Sequence, residues 1–436
     1  MPEVRPPDFV GCTSSTVSHL ARARVVAESW RRHHPESPFA VLLTDGEDRP
    51  PETEAFDIVL PEELGLPASE LAVQRGIYDA YELTCALKPR LLQLLLERGA
   101  SAVVFSDTDT CFYAPVDDVA ATAAARSLVL TPSTARPVGL RRYLPVGPLE
   151  HRHLLSGLFN TGLVAVGPDG GTFLDWWSAR LARDCLVERP AGMWTDQMWV
   201  DWVPVYFDHV ISRDPSLNVG IWNLDERELL DVEGKPSVDG APLRHFHFWG
   251  FDPRRPDEYS AYYDGIGAYY RQVSGRDMPG PPPNHALTRL LQDYAKRLLE
   301  HGSEELLDRS YRYGVGASGR PLGLRERAVY REAVLAAEAC GADPPPSPFD
   351  PSESNEFERL VDDPSTLGSL SPQAQRRLEH VRPAGISRSS FTRVSRRLRP
   401  ALRYALTGRF TRGAPALRVE SEAVRLEYST GSRPTD

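Results

Sequence analysis

Up to about residue 250, apolar and polar positions alternate between two rhythms. Short apolar runs read as strands: DFVGCTS (8–14), FAVLLTD (39–45), FDIVLP (56–61), AVVFSDTD (102–109), SLVLTP (127–132), NTGLVAVG (160–167) and LRHFHFWG (243–250). Stretches of helical period lie between them. In VSHLARARVVAESWRRHH (17–34), Leu20, Ala23, Ala27 and Trp30 recur at helical spacing. YDAYELTCALKPRLLQLLLERG (78–99) is also helical, with a new helix starting at Pro89, since proline fits a first turn and not a helix interior. FLDWWSARLARDCL (173–186) predicts a helix with its tryptophan pair turned inward. TDQMWVDWVPVYF (195–207) opens on a helical turn that Thr195 is placed to N-cap. Strands alternating with helices specify an α/β domain.

Beyond it the pattern changes. PGPPPNH (279–285) is a linker-like break, followed by the amphipathic helix ALTRLLQDYAKRLLEHG (286–302). A second break, ADPPPSPFDPSESN (342–355), precedes a weakly patterned tail. The expected division is an α/β domain over 1–275, a helical accessory region over 276–345, and a Pro/Arg-rich, partly disordered tail over 346–436. No acidic residue lies between Glu379 and Glu420, while eight Arg fall between 388 and 412. That segment suits a peripheral contact with anionic lipid, a contact with a partner protein, or a disordered basic tail.

Composition narrows the classes. The 436 residues are 41% hydrophobic, enough for a large core, and a net charge of −10 speaks against nucleic acid as partner. Five scattered cysteines (Cys12, Cys85, Cys111, Cys185, Cys340) without a CxxC pair suit a reducing compartment. No apolar run reaches the roughly 18 residues of a membrane span. The expectation is a soluble, cytoplasmic protein, at most peripheral to the inner face of a membrane.

Candidate chemistry centres on VVFSDTDTCF (103–112), where Asp107 and Asp109 follow an apolar strand. The carboxyl end of a strand is where open α/β sheets bind ligands. Two close carboxylates repel unless a cation or proton relieves them, and oxygen ligands suit hard divalent ions. Three readings stand on this stretch alone: a metal site, the nucleophile of a haloacid-dehalogenase-type phosphatase, or a capping turn. Cys111 replaces the threonine of the phosphatase pattern, which weakens the second.

Four elements in order resemble the retaining, family-8-like nucleotide-sugar glycosyltransferases of the GT-A fold, a group that includes glycogenin and bacterial galactosyltransferases. They are ALKPRLL with VVFSDTDTCFYAPVDDV, FNTGLVAV (159–166), TDQMW (195–199) and HFWG (247–250), and the likeness covers about residues 8–255. It implies a Rossmann-like mixed sheet flanked by helices, transfer of a sugar from a nucleotide diphosphate (a UDP-sugar is expected) to a hydroxyl acceptor, and dependence on Mn2+ or Mg2+. A non-catalytic nucleotide-sugar-binding protein of the same fold is the competing class.

By the same resemblance, Asp107, Asp109 and His247 would hold the metal, with Asp107 also near the ribose. His245, on the same strand face, is the alternative imidazole. Thr13 would contact the base, Lys88 would face the diphosphate, and Asn160 and Gly162 would line the donor-sugar pocket. Gly250 would let backbone approach the phosphates. Asp196 would bind sugar hydroxyls and Gln197 would stabilise the oxocarbenium-like transition state. The sequence departs from the family where many members carry a lysine after the His-x-x-Gly: GFDPRR has Pro253 there, with Arg254 and Arg255 following.

Overall fold

The computed structural model describes residues 9–46, 54–137, 156–188, 192–224, 226–256 and 285–363, with short pieces at 143–144, 147–148, 153–154, 370–371 and 374–375. The arginine-rich segment 388–412 lies outside the described residues. LRHFHFWG lies in a second sheet; the other six of the seven predicted apolar runs, joined by a two-residue strand that carries no such run, form a seven-stranded mixed sheet. Its strands are β1 (Val10–Ser15), β2 (Phe39–Leu43), β3 (Asp57–Val59), β4 (Val103–Ser106), β6 (Leu128–Pro132), β7 (Phe159–Val166) and β8 (Val210–Ile211). The order is β8-β6-β7-β4-β1-β2-β3. The run β3-β2-β1-β4 is parallel throughout, the order of one half of a doubly wound nucleotide-binding sheet. β7 inserts antiparallel between β4 and β6.

Both faces of this sheet are covered, so its strands are apolar on successive residues. Val103 and Phe105 of β4 point to one face and Val104 to the other. The second face receives α1 (Leu20–His33) and α5 (Asp117–Arg126). Trp30 of α1 is wholly buried there; removing a ring of about 200 Å² from water is worth about 5 kcal/mol, which fixes how α1 docks. The first face is covered by α2 (Ala68–Ile77), α3 (Ala80–Ala86), α4 (Lys88–Glu97) and α6 (Gly171–Asp184). Asp79 caps α3 by accepting from the Glu82 N–H at 2.9 Å, and Pro89 sits in the first turn of α4. On the same cluster lie α9 (Leu324–Cys340) and α10 (Ser354–Asp362), the latter inside the segment read from sequence as weakly patterned.

A second, three-stranded sheet holds the residues of interest. β5 (Thr110–Phe112) pairs antiparallel with β10 (His245–His247), which pairs parallel with β9 (Val219–Gly220). Helix α8 (His285–Glu300) packs on it, with Tyr294 stacked on Phe248 at 3.8 Å between ring centroids.

Three local expectations change. The tryptophans of α6 do not both face inward: Trp177 is fully buried, whereas Trp176 is half-buried among Trp199, Tyr206 and Phe207. Adjacent helical residues point about 100° apart, so only one can be central. Thr195 is not a cap. It has φ of 47°, and its hydroxyl donates to the Asp196 carboxylate at 3.1 Å instead of accepting from a helix N–H. The HFWG strand ends at His247, since a turn begins there and Gly250 takes φ of 70°.

Candidate metal centre

β4 ends at Ser106, and the chain reverses through Asp107–Asp109 into β5. The turn is pinned on three sides. The Asp107 N–H donates to the Gly162 carbonyl at 3.1 Å, the Thr110 hydroxyl to the Asp107 carbonyl at 2.7 Å, and the Phe248 N–H to the Asp109 carbonyl at 2.7 Å. In the β5–β10 register His247 lies opposite Thr110, which carries its ring to the aspartates. His247 Nε2 is 3.1 Å from Asp109 Oδ1 and 3.9 Å from Asp107 Oδ2.

These residues form a group of three ligand atoms within 4.8 Å of one another. One imidazole nitrogen with two carboxylate oxygens suits a hard divalent ion such as Mn2+ or Mg2+. The Asp107 side chain is 34% exposed, so the cluster is open on one side and leaves coordination positions for a ligand. Burial raises the Asp107 carboxyl above its ordinary value against the pull of Lys88 and His247. At Asp109 burial is outweighed by His247 and Arg22, and the carboxyl is held well below its ordinary value. Burial disfavours a charged His247 ring, but Asp109 and Asp107 overcome it and raise its pKa.

His245 goes elsewhere. It is wholly buried, its Nε2 lies 2.9 Å from Ser106 Oγ, and its ring packs against Phe112. Burial first, then the charge of His247, push its pKa far below the ordinary value, so it stays neutral.

Beside the cluster lies a buried ion network. Lys88, the first residue of α4, is 1% exposed, and its Nζ reaches Asp196 Oδ2 at 2.7 Å, the Thr161 carbonyl at 3.3 Å and Asp107 Oδ1 at 3.4 Å. It also lies 4.3 Å over the Phe105 ring. Burial opposes its charge, yet Asp107 and Asp196 outweigh that and raise its pKa. An ammonium has three donors, and protein acceptors surround this one. Asp196 is equally engaged, with Oδ1 taking the Thr195 hydroxyl. Gln197 opens α7 (Gln197–Val200); its Oε1 accepts from Thr161 N at 3.4 Å and its Nε2 donates to the Ser156 carbonyl.

On β7, Asn160 Oδ1 accepts from the Gly162 N–H at 2.9 Å and from Asn218 Nδ2 at 3.0 Å. Gly162 must be glycine: a Cβ there would lie 2.4 Å from His247 Nδ1. The structure thus brings Lys88, Asp107, Asp109, Asn160, Gly162, Asp196, Gln197 and His247 into one connected region. Thr13 stands apart, within β1 because that strand runs on to Ser15; it is wholly buried, and its Oγ1 has no hydrogen-bond partner among the described residues. Gly250 turns the chain so that the Phe251 carbonyl accepts from Arg22 at 2.7 Å.

Sequence reasoning missed Arg22, 3.7 Å from Asp109, and Asn218, which ties Asn160 to Thr131. Arg22 is one of several arginines in its helix and carries no local signal. Trp222 stands edge-on to His247, with 5.0 Å between ring centroids.

No protein-family profile matches the chain. Over 253 residues, 55% of this chain and 80% of the relative, it is 23% identical to the uncharacterized protein YfnF of Bacillus subtilis (strain 168). Over 191 residues, 42% of this chain, it is 25% identical to the uncharacterized protein YfnD of the same organism, spanning 58% of that protein's length. Among solved structures it is similar to a glycosyltransferase involved in the glycosylation of the major capsid of PBCV-1, at 14% identity and a TM-score of 0.31, covering 55% of this chain and 93% of that one. It is also similar to the galactosyltransferase LgtC in complex with donor and acceptor sugar analogs, at 15% identity and a TM-score of 0.36, covering 63% and 98%.

Proposed function

We propose that the chain is a metal-dependent, retaining glycosyltransferase of the GT-A type that moves a sugar from a nucleotide diphosphate, in the first instance a UDP-sugar, to a hydroxyl acceptor in the cytoplasm. The observation that carries this reading is the convergence of Asp107, Asp109 and His247 at the carboxyl end of β4, directly beside the buried Lys88–Asp196 pair. A divalent ion held by those three residues would neutralise charge on the diphosphate and help it depart.

The protein's own groups have distinct tasks. Lys88 is surrounded by Asp196, Asp107 and the Thr161 carbonyl, so it positions Asp196 relative to the metal ligands more than it offers free donors to phosphate. Asp196, 3% exposed and held in one rotamer by Lys88 and Thr195, would receive sugar hydroxyls only on the lone pairs those two partners leave free. The Gln197 amide, fixed between Thr161 and Ser156, sets a dipole beside the same pocket for an oxocarbenium-like transition state. Asn160 and Gly162 would supply the floor on β7, and Thr13 of β1 would serve the base side.

The test is turnover. With Mn2+ and a panel of UDP-hexoses, the protein is expected to release UDP slowly by hydrolysis and faster with an acceptor, with the anomeric configuration kept in the product. Asp109→Ala and His247→Ala should each reduce the rate by about 100-fold or more, as removal of a metal ligand does. UDP release unchanged in both variants would contradict the assignment.

A further inference from the structure

Lys88, Arg254 and Arg22 are not equivalent as cations for a donor phosphate. Lys88 has its three donors directed at Asp196, Asp107 and the Thr161 carbonyl. Arg254 turns its Nε and Nη2 to Asp252, each at 2.9 Å, and its side chain is 62% exposed. Arg22 differs from both. Its side chain is 14% exposed and stands in the first turn of α1. Nη2 donates to the Phe251 carbonyl at 2.7 Å, while Nη1 approaches Asp109 Oδ2 only to 3.7 Å, a charge contact without a hydrogen bond.

A guanidinium has five N–H donors in a rigid fork that matches anionic oxygens. Among the described residues Arg22 makes one hydrogen bond, so most of its donors remain available at the edge of the metal cluster. The anchor on Phe251, just past the turn at Gly250, fixes the fork against the aspartate pair. A ligand with several anionic oxygens matches such a fork.

We infer that Arg22 is a substrate-binding residue that clamps the diphosphate of the donor nucleotide, supplying the fixed positive charge that Lys88 and Arg254 do not. This rests on the nucleotide-sugar reading above. Arg22 and the divalent ion would hold the diphosphate between them, with the ion on Asp107, Asp109 and His247 and the guanidinium on oxygens that the ion leaves free.

The experiment compares wild type, Arg22→Gln and Arg22→Lys, with UDP affinity measured by calorimetry in Mn2+ and Mn2+ affinity measured alone by electron paramagnetic resonance. In R22Q the UDP affinity is expected to fall about 10- to 100-fold, the loss of a charge-assisted contact. Its salt dependence should also become shallower. Mn2+ alone should bind R22Q at least as well as wild type, because a neighbouring positive charge is gone. Unchanged UDP affinity in R22Q, or a loss matched by an equal loss of Mn2+ binding, overturns the inference. If R22Q does not fold, R22K carries the test: lysine keeps the charge but lacks the planar fork that holds the Phe251 carbonyl on one nitrogen and offers the others to phosphate, so UDP binding falls severalfold with Mn2+ binding kept, and wild-type UDP affinity overturns the claim. A wild type that fails to bind UDP refutes the underlying reading and this inference with it; a wild type that binds, with variants that bind equally, refutes this inference alone.

Discussion

Lys88 keeps its charge in a place with almost no water, 1% exposed, because Asp196 at 3% exposure lies 2.7 Å away and Asp107 lies beyond. Removing one partner of a buried pair leaves the other uncompensated, typically at about 3–5 kcal/mol. Lys88→Met should therefore lower stability by that order in denaturant unfolding and abolish turnover. A variant of wild-type stability would show that the pair is not closed in solution. A second residue sets a pH dependence away from the metal. Asp201 accepts from the Leu158 N–H at 2.8 Å, and burial pushes its carboxyl up to about 6 against its hydrogen bonds from Leu158 and Phe159. Between its ordinary value of 3.8 and about 6, the folded chain keeps a proton that the unfolded chain has released, so this group lowers stability as pH rises through that window. Asp201→Asn removes the effect. The stability of D201N relative to wild type should rise from pH 4 to 6 in thermal melts, and a constant difference would contradict the assignment. At this scale the gathering of Asp107, Asp109 and His247 was legible, because an aspartate pair after an apolar strand and a later His-Phe-x-Gly occur in an order that the resemblance ties together. The closed coordination of Lys88 and the donors left on Arg22 were not, since both depend on burial that no local sequence pattern encodes.

Among the elements, the second sheet decides the site. β5 and β10 are three residues each, and their pairing places His247 on the aspartates. β7 supplies the opposite wall, and Gly162 keeps it from colliding with the ring. Gly162→Ala should leave the fold intact but displace His247, weakening Mn2+ binding about 10-fold or more, in the range seen when a group supporting a ligand is altered. Electron paramagnetic resonance titration reads this directly, and wild-type affinity would mean that the ring has freedom to move aside. The long strands and helices could be predicted because their apolar period persists over many residues. β5, β8 and β9 run for two or three residues and have no period to detect. Thr195 was misread for a related reason: threonine before a helical turn usually caps it, but here the buried Asp196 carboxylate competes for the hydroxyl.

Across the whole molecule, the parallel run β3-β2-β1-β4 brings strand ends together, and the small sheet folds over that edge to complete a cluster of two carboxylates and an imidazole. Helix α8 backs the small sheet through Tyr294 on Phe248, so a segment beyond the α/β pattern contributes to holding His247. No described helix is long and apolar enough to cross a membrane. In the proposed function, a divalent ion at Asp107, Asp109 and His247 would create the nucleotide diphosphate site. Calorimetric titration of UDP-sugars with and without Mn2+ tests it most directly. Binding in Mn2+ that disappears on chelation and in Asp109→Ala is the result expected. No metal-dependent binding of any UDP-sugar, or equal binding with and without the ion, would contradict it.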